Sequence, residues 1–493
     1  MRLPVLAFLL ATALPSSAVP LAAQPAPAPA AREQAQRNLE DFDFVVRKIT
    51  DNYAGWHSKV TDNARPQLEA LTARLRARAA AASDEELLAI LSEWVGFFQD
   101  RHTVVRRAAA PAGAGGAPAT PSLPWTEASV RSRLQSLGPR RHPIEGIWRI
   151  AGDRYRVGVL RTGEGEDRFA AVILTTSADN WRPGQVKADL AARADGGFDM
   201  VFRAGDHSAN PVHANLVADG DALAVPDWGP WSREWPAPAD PEAAARLFPS
   251  SELFLRRLSE RTLWLRIPDF NDSRAAPLRE LIAANREALA STPNLIIDLR
   301  NNGGGSDYVY APLVPLLYTR PIVTIGMEMR ASTDNIALRQ EVADRIRADA
   351  PDNAAQIEAQ NRLMRERLGQ YVMPDPRPFE IERHEAVLPF PRRVAVLIDG
   401  AGSTGEQFLL LARQSRKATL FGQRNSAGVL DFANVVAMST PSGRYRLQWA
   451  TSRSLRLPQD PVDPDGIAPD IRIPDVERDP VRYAAAWLER QVD

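Results

Sequence analysis

Residues 394–411 read VAVLIDGAGSTGEQFLLL. The apolar run Val394–Ile398 is unbroken and rich in branched side chains, the pattern of a strand buried on both faces. Asp399, Gly400, Ala401 and Gly402 then turn the chain, and from Thr404 the apolar residues recur at helical spacing, which predicts a helix over Thr404–Gln414. A buried strand that passes through a glycine turn straight into a helix is the unit of a mixed α/β fold. The turn lifts Ser403 to the carboxyl edge of the sheet and the amino end of the helix. There the helix dipole favours negative charge, and the Thr404 N–H can donate to an oxyanion. Ser403 is therefore a candidate nucleophile; a plain N-cap serine is the alternative.

Residues 295–306 read LIIDLRNNGGGS, a second buried strand that ends in the consecutive glycines Gly303, Gly304 and Gly305. Such a loop lets backbone approach a ligand and aim N–H groups inward, as an oxyanion loop or a phosphate cradle does. It has neither the Gly-Lys-Ser/Thr nor the G-x-G-x-x-G pattern, so nucleotide binding is not expected. A third polar cluster, Asp100-Arg101-His102-Thr103, follows an apolar helical segment.

Outward from these stretches, residues 250–475 alternate between strands and helices. Strands are expected at Thr262–Ile267, Asn294–Leu299, Ile322–Gly326, Arg393–Ile398 and Thr419–Phe421, with further strands at Asn434–Ser439 and Tyr445–Thr451. Leu278–Ala290 and the charged stretch 333–370 read as helical, and 476–493 as a terminal helix. Residues 35–110 form a helical domain that carries His102, with a capping box at Ser83–Glu86. Residues 111–139 are a linker with a short helix. Residues 140–240 are a β-rich insert of short alternating segments, a small barrel or sandwich. The fold class is thus mixed α/β (α+β): a helical bundle, an inserted β domain and an α/β core.

Composition narrows the function. The chain has 493 residues, which suggests about three domains. Lys and Arg number 60 against 61 Asp and Glu, so no global field recruits nucleic acid or an anionic membrane. Cysteine is absent, which removes disulfides, thiol nucleophiles and thiolate metal sites. The only lysines are Lys48, Lys59, Lys187 and Lys417. At the amino terminus, Arg2 and the apolar run Leu3–Leu14 precede small residues, a secretory signal over 1–23 followed by a Pro/Ala linker over 24–34. The expected location is periplasmic or secreted. That run is too short to span a bilayer, and no later stretch does so, so no membrane span is expected in the mature chain. Oligomeric state has no sequence signal.

The three polar segments, in this order, resemble the tail-specific (carboxyl-terminal processing) and tricorn-core family of serine proteases. The resemblance rests on Asp100-x-His102-Thr103, on Asp298–Gly305, on the Gly402-Ser403-x-x-Glu406 elbow, on Leu263–Phe270 and on Gly466–Asp470. It implies a ClpP/crotonase-like protease core, no cofactor and no metal, and a peptide or protein substrate. Where one branch of that family carries a catalytic lysine, this chain has Gly428. The resemblance therefore points to the branch in which a histidine, here His102, activates the serine. It further implies an oxyanion hole from Thr404 with Gly303 or Gly304. An acid three residues before the tail glycine would support the histidine. That acid is Asp463, with Asp465 as the neighbouring choice. The processing-type members carry a PDZ domain where this chain has its β-rich insert, whose Gly146-x-Trp148 resembles a lipocalin-type first strand.

Two other functions are weighed. An α/β-hydrolase esterase needs a histidine after its serine, and the last histidine here is His384. A non-catalytic periplasmic binding or scaffolding protein of the same fold, for a peptide or a hydrophobic ligand, is the alternative from another class. His207 and His213 lack an evident third ligand, and together with His57, His142 and His384 they read as structural or surface groups.

Overall fold

The computed structural model describes residues 29–108, 120–150, 154–163, 167–226, 228–348 and 350–491. The expected signal peptide 1–23, the start of the 24–34 linker and most of the Ala/Gly/Pro stretch after Arg107 lie outside the described residues. The first helix, Pro29–Asn52, begins inside the expected linker.

The core is a six-stranded sheet in the order Phe254–Arg257, Thr262–Arg266, Asn294–Asp298, Arg393–Leu397, Ala418–Gly422, Ile471–Arg472. The first pair is antiparallel and all later pairs are parallel. Alternate side chains enter opposite layers. Leu295, Ile297, Val394 and Val396 pack with Phe408 and Leu409 of the elbow helix Thr404–Ala412. Ile296, Ala395 and Leu397 pack with Val481, Ala484 and Leu488 of the terminal helix Pro480–Arg490. Both faces are covered, which is why these strands read as continuous apolar runs rather than alternating ones. Asn294–Asp298 and Arg393–Leu397 are adjacent and in register, Asp298 beside Leu397. Parallel pairing therefore delivers the glycine loop and the serine turn side by side at one edge of the sheet.

A second, five-stranded sheet was not expected. Val104–Arg107 pairs with Tyr445–Ser454, which in turn pairs with Phe432–Ser439 and Met327–Arg330. The amino-terminal helices pack on it: Phe42, Tyr53, Trp94 and Phe98 share one core with Phe432, Leu447 and Trp449. The amino-terminal helices thus lie as a layer on a sheet to which Val104–Arg107 contributes one strand and later parts of the chain the others. The predicted helix over Leu278–Ala290 divides at Asn285 into Ala275–Ala284 and Arg286–Ser291.

The insert is a closed eight-stranded barrel in which neighbours in sequence are neighbours in space, from Gly146–Ile150 to Trp231–Trp235, the last strand pairing with the first. Trp148, Phe169, Phe198 and Trp231 lie in its buried core. Lys187 is 1% exposed. Its ammonium sits 4.0 Å from the Trp181 ring centre, 4.1 Å from Tyr155 and 4.9 Å from Phe202. Its one hydrogen bond is long, 3.5 Å to the Ala204 carbonyl. Burial pushes the amine down to about 8.

A lysine whose affinity for protons falls on folding destabilises the fold most where it must stay charged. Lys187→Met keeps the aromatic contacts and removes the charge. It is expected to raise the melting temperature at pH 7. The gap to wild type should be full below pH about 8 and close as pH rises towards 10.5, the ordinary lysine value, as read by denaturation across that range.

Candidate active site

Ser403 has φ 55° and ψ −121°, backbone angles that a side chain tolerates poorly. The strain arises from the turn itself. Ala401 N–H closes on Ile398 O, and Gly402 N–H donates to Asn302 O of the neighbouring loop. The chain must then reverse at Ser403 to start the elbow helix. This is the sharp strand–turn–helix geometry that thrusts a hydroxyl out of a sheet edge. Ser403 is half-buried.

The carboxylate of Glu406, fully buried, holds the turn. Its Oε2 accepts from Ser403 N–H at 3.1 Å and from Val429 N–H at 2.9 Å. Its Oε1 accepts from the Ser426 hydroxyl at 2.6 Å and from Gly428 N–H at 2.7 Å. Gly428 has φ +68°, and a Cβ there would lie 2.2 Å from Pro464 O. No lysine fits at this position. Lys417 lies just before Ala418–Gly422, at the sheet edge opposite Ser403, with its ammonium on the Leu388 carbonyl at 2.6 Å.

The glycine loop lies against the serine. Gly304 has φ +90°, and a Cβ on it would come within 2.8 Å of Ser403 Cβ and 2.9 Å of Thr404 N. Its N–H, however, donates to Asn302 Oδ1 at 2.9 Å. Gly304 is therefore the spacer of the loop and has no N–H to spare for an oxyanion. The Gly303 and Thr404 N–H groups have no acceptor among the described residues. Gly305 is bridged to Phe270.

His102 reaches the same region from the second sheet. Asp100 shapes its turn: Oδ1 accepts from His102 N–H at 2.8 Å, and Oδ2 from the Thr103 hydroxyl at 2.7 Å. The imidazole Nδ1 lies 2.5 Å from the Phe432 carbonyl oxygen. A carbonyl only accepts, so Nδ1 carries the proton and Nε2 is left as the basic nitrogen. Arg101 donates to Ala427 O at 2.9 Å, and Ala427 N–H donates to Ala401 O at 2.7 Å beside the serine turn. The segment 427–432 thus touches both the histidine's segment and the serine's. The two side chains are not hydrogen-bonded to each other.

Asp463 does not touch His102. Its Oδ1 accepts from Leu430 N–H at 2.6 Å and Asp431 N–H at 3.1 Å, which fixes the strand entry just before Phe432. Its Oδ2 is buried without a partner. Burial pushes the carboxyl up to about 6, and the nearby Asp431 and Glu406 carboxylates add to the rise. Asp465 is exposed, and its carbonyl accepts from Asn425. The partner of the imidazole is therefore a backbone carbonyl, which side-chain motifs do not show. Glu406 was visible only as part of the elbow. Its signal is that it is the one charged residue between Asp399 and Arg413, set in an otherwise apolar helix.

Residues 261–473 match the family model of Peptidase family S41. This core belongs to peptidase family S41. The matched residues span the glycine loop and the serine turn, while His102 and the barrel lie outside them. Among solved structures, mature CPAF complexed with lactacystin is 16% identical, with a TM-score of 0.47 over 93% of this chain and 98% of that one. A putative peptidase from Parabacteroides merdae is 12% identical, with a TM-score of 0.40 over 93% and 99%. A photosystem II D1 C-terminal processing protease is 12% identical, with a TM-score of 0.34 over 89% and 92%. No curated protein matches the chain. A peptidase of that family acts on peptide or protein substrates. Among the described residues no helix is long and apolar enough to cross a membrane.

Two measurements test this geometry. Replacing Ser403 by glycine relieves the positive φ, so Ser403→Gly should be more stable than Ser403→Ala by about 1 kcal/mol in chemical denaturation. Asp463 gains a proton on folding between its ordinary value of 3.8 and about 6, so its contribution lowers stability as pH rises through that window. Relative to wild type, Asp463→Asn should gain stability from pH 4 to 6.5 and then level off, in urea denaturation at a series of pH values.

Proposed function

We propose that this protein is an exported serine peptidase that hydrolyses peptide bonds through an acyl-enzyme on Ser403, with His102 as general base. In the first step Ser403 Oγ attacks the scissile carbonyl and His102 Nε2 takes its proton. The tetrahedral oxyanion is received by the N–H groups of Thr404 and Gly303. As the intermediate collapses, the C–N bond breaks and His102 returns the proton to the leaving amine. Water then repeats the sequence and frees Ser403. The observation that carries this reading is the unspent Thr404 N–H beside a strained serine, with an imidazole whose Nδ1 proton is fixed by Phe432 O. The early apolar run behind Arg2 supports export.

The Phe432 carbonyl does for the imidazole what a carboxylate does in a full triad: it orients the ring and selects the tautomer. It supplies no full negative charge, so Asp463 acts at one remove, by holding the backbone that presents Phe432.

A fluorophosphonate probe should label Ser403 in the wild type, fail with Ser403→Ala, and label His102→Ala about 10²–10⁴-fold more slowly. Peptide digestion read by mass spectrometry should follow the same order. A serine that stays unlabelled, in a protein that nevertheless binds peptides tightly, would instead support the binding-protein reading.

A further inference from the structure

A cavity of about 310 Å³ opens between the helices Thr333–Ile346 and Pro351–Glu366 and the strand Phe432–Ser439. It borders both arms of the site. Ser306, on its wall, ends the glycine loop that presses on Ser403. Val435, also on its wall, follows Phe432 on the strand that holds His102.

Arg339 enters this cavity from the first helix. The residue is 6% exposed, and its Nε is buried without a hydrogen-bond partner. Nη2 donates to the Gln360 side-chain oxygen, a neutral acceptor. Among the described residues the guanidinium forms no ion pair, and burial alone pulls its pKa down to about 10. Buried arginines elsewhere are met either by an acid, as Arg300 by Asp298 at 2.9 Å and 2.7 Å and Arg456 by Asp431 at 2.9 Å, or by backbone carbonyls, as Arg233 by those of Gly220, Glu145 and Pro143. Arg339 has neither an acid nor a carbonyl of the backbone among the described residues. A desolvated cation without a counter-charge is costly unless something brings the charge. The one acid on the cavity wall, Asp272, already accepts from the Ser306 hydroxyl at 2.6 Å. Met327 and Val435 give the opening an apolar side.

We propose that this cavity is a specificity subsite in which Arg339 binds a carboxylate of the substrate. With Nη2 on Gln360 and Nε buried, Nη1 is the donor left without an acceptor among the described residues, and it offers a carboxylate one charge-assisted hydrogen bond. The carboxylate comes from an aspartate or glutamate side chain or from a peptide's own carboxyl terminus. The inference rests on the peptidase reading for the nature of the substrate, while the subsite itself is a matter of binding.

The test uses full-length Ser403→Ala and fluorescein-labelled degenerate octapeptide pools. One set carries a single glutamate at varied positions, the other glutamine, each with a free or an amidated carboxyl terminus. Fluorescence anisotropy should show the favoured acid bound about tenfold more tightly than its neutral counterpart, the strength expected of a charge-assisted contact. A glutamate-over-glutamine gap assigns a side chain; an acid-over-amide gap assigns the terminus. Arg339→Gln should abolish the gap. Gln356→Glu, on an exposed position of the cavity wall, plants a competing carboxylate without disturbing the core and should shrink it. Pools that bind equally, within about twofold, or a gap that survives both substitutions, would overturn the subsite. Cleavage of the same pools by the wild type separates the two readings. Cleavage without charge preference counts against the subsite alone; an Arg339-dependent gap without cleavage counts against the peptidase alone.

Discussion

The carboxylate of Glu406 fastens the site together. Buried in the first turn of the elbow helix, it collects Ser403 N–H, the Ser426 hydroxyl, Gly428 N–H and Val429 N–H on its two oxygens. A carboxyl group in such a place is tolerable because its oxygens are so fully hydrogen-bonded. The result is mechanical as much as electrostatic. One side chain ties the serine turn to the segment 426–429, and that segment leads within a few residues to Phe432 and the imidazole. Any displacement of Glu406 would move the hydroxyl and the histidine's support together.

The two sheets contribute differently. The parallel sheet sets the glycine loop beside the serine turn through register alone, Asp298 opposite Leu397. The second sheet is antiparallel at the strand that follows His102, with Val104 opposite Gln448. Gln448 also donates to the His102 carbonyl at 3.0 Å, so the histidine is gripped through its backbone as well as its ring. The geometry of the site is therefore that of a joint between two sheets, with residues 427–432 as the connecting strap.

Much of the α/β core was legible because its signals are local. Unbroken apolar runs at Asn294–Asp298 and Arg393–Leu397, each followed by glycine, give both the strands and the loops that leave them. The barrel was legible as short alternating strands, though its closure depends on the pairing of Ile147 with Trp235, which no local pattern reveals. The second sheet was hidden because Val104–Arg107 is four residues long, half of them arginine, and its partner lies at the far end of the chain. For the same reason the site was legible in its side chains and not in its backbone. Ser403, His102 and the glycines stand out by type. That Gly304 N–H is consumed by Asn302, and that a carbonyl rather than Asp463 holds the imidazole, are facts of main-chain hydrogen bonding.

The order in which the chain is made gives the pairing of Val104–Arg107 with Tyr445–Ser454 a further meaning. Translation proceeds from the amino end, and early domains fold while later ones are still unmade. The imidazole is synthesised early yet has neither Phe432 nor Gln448 to seat it until the ribosome has nearly finished. The turn that carries His102 therefore reaches its final setting only when the chain's last strands have been made.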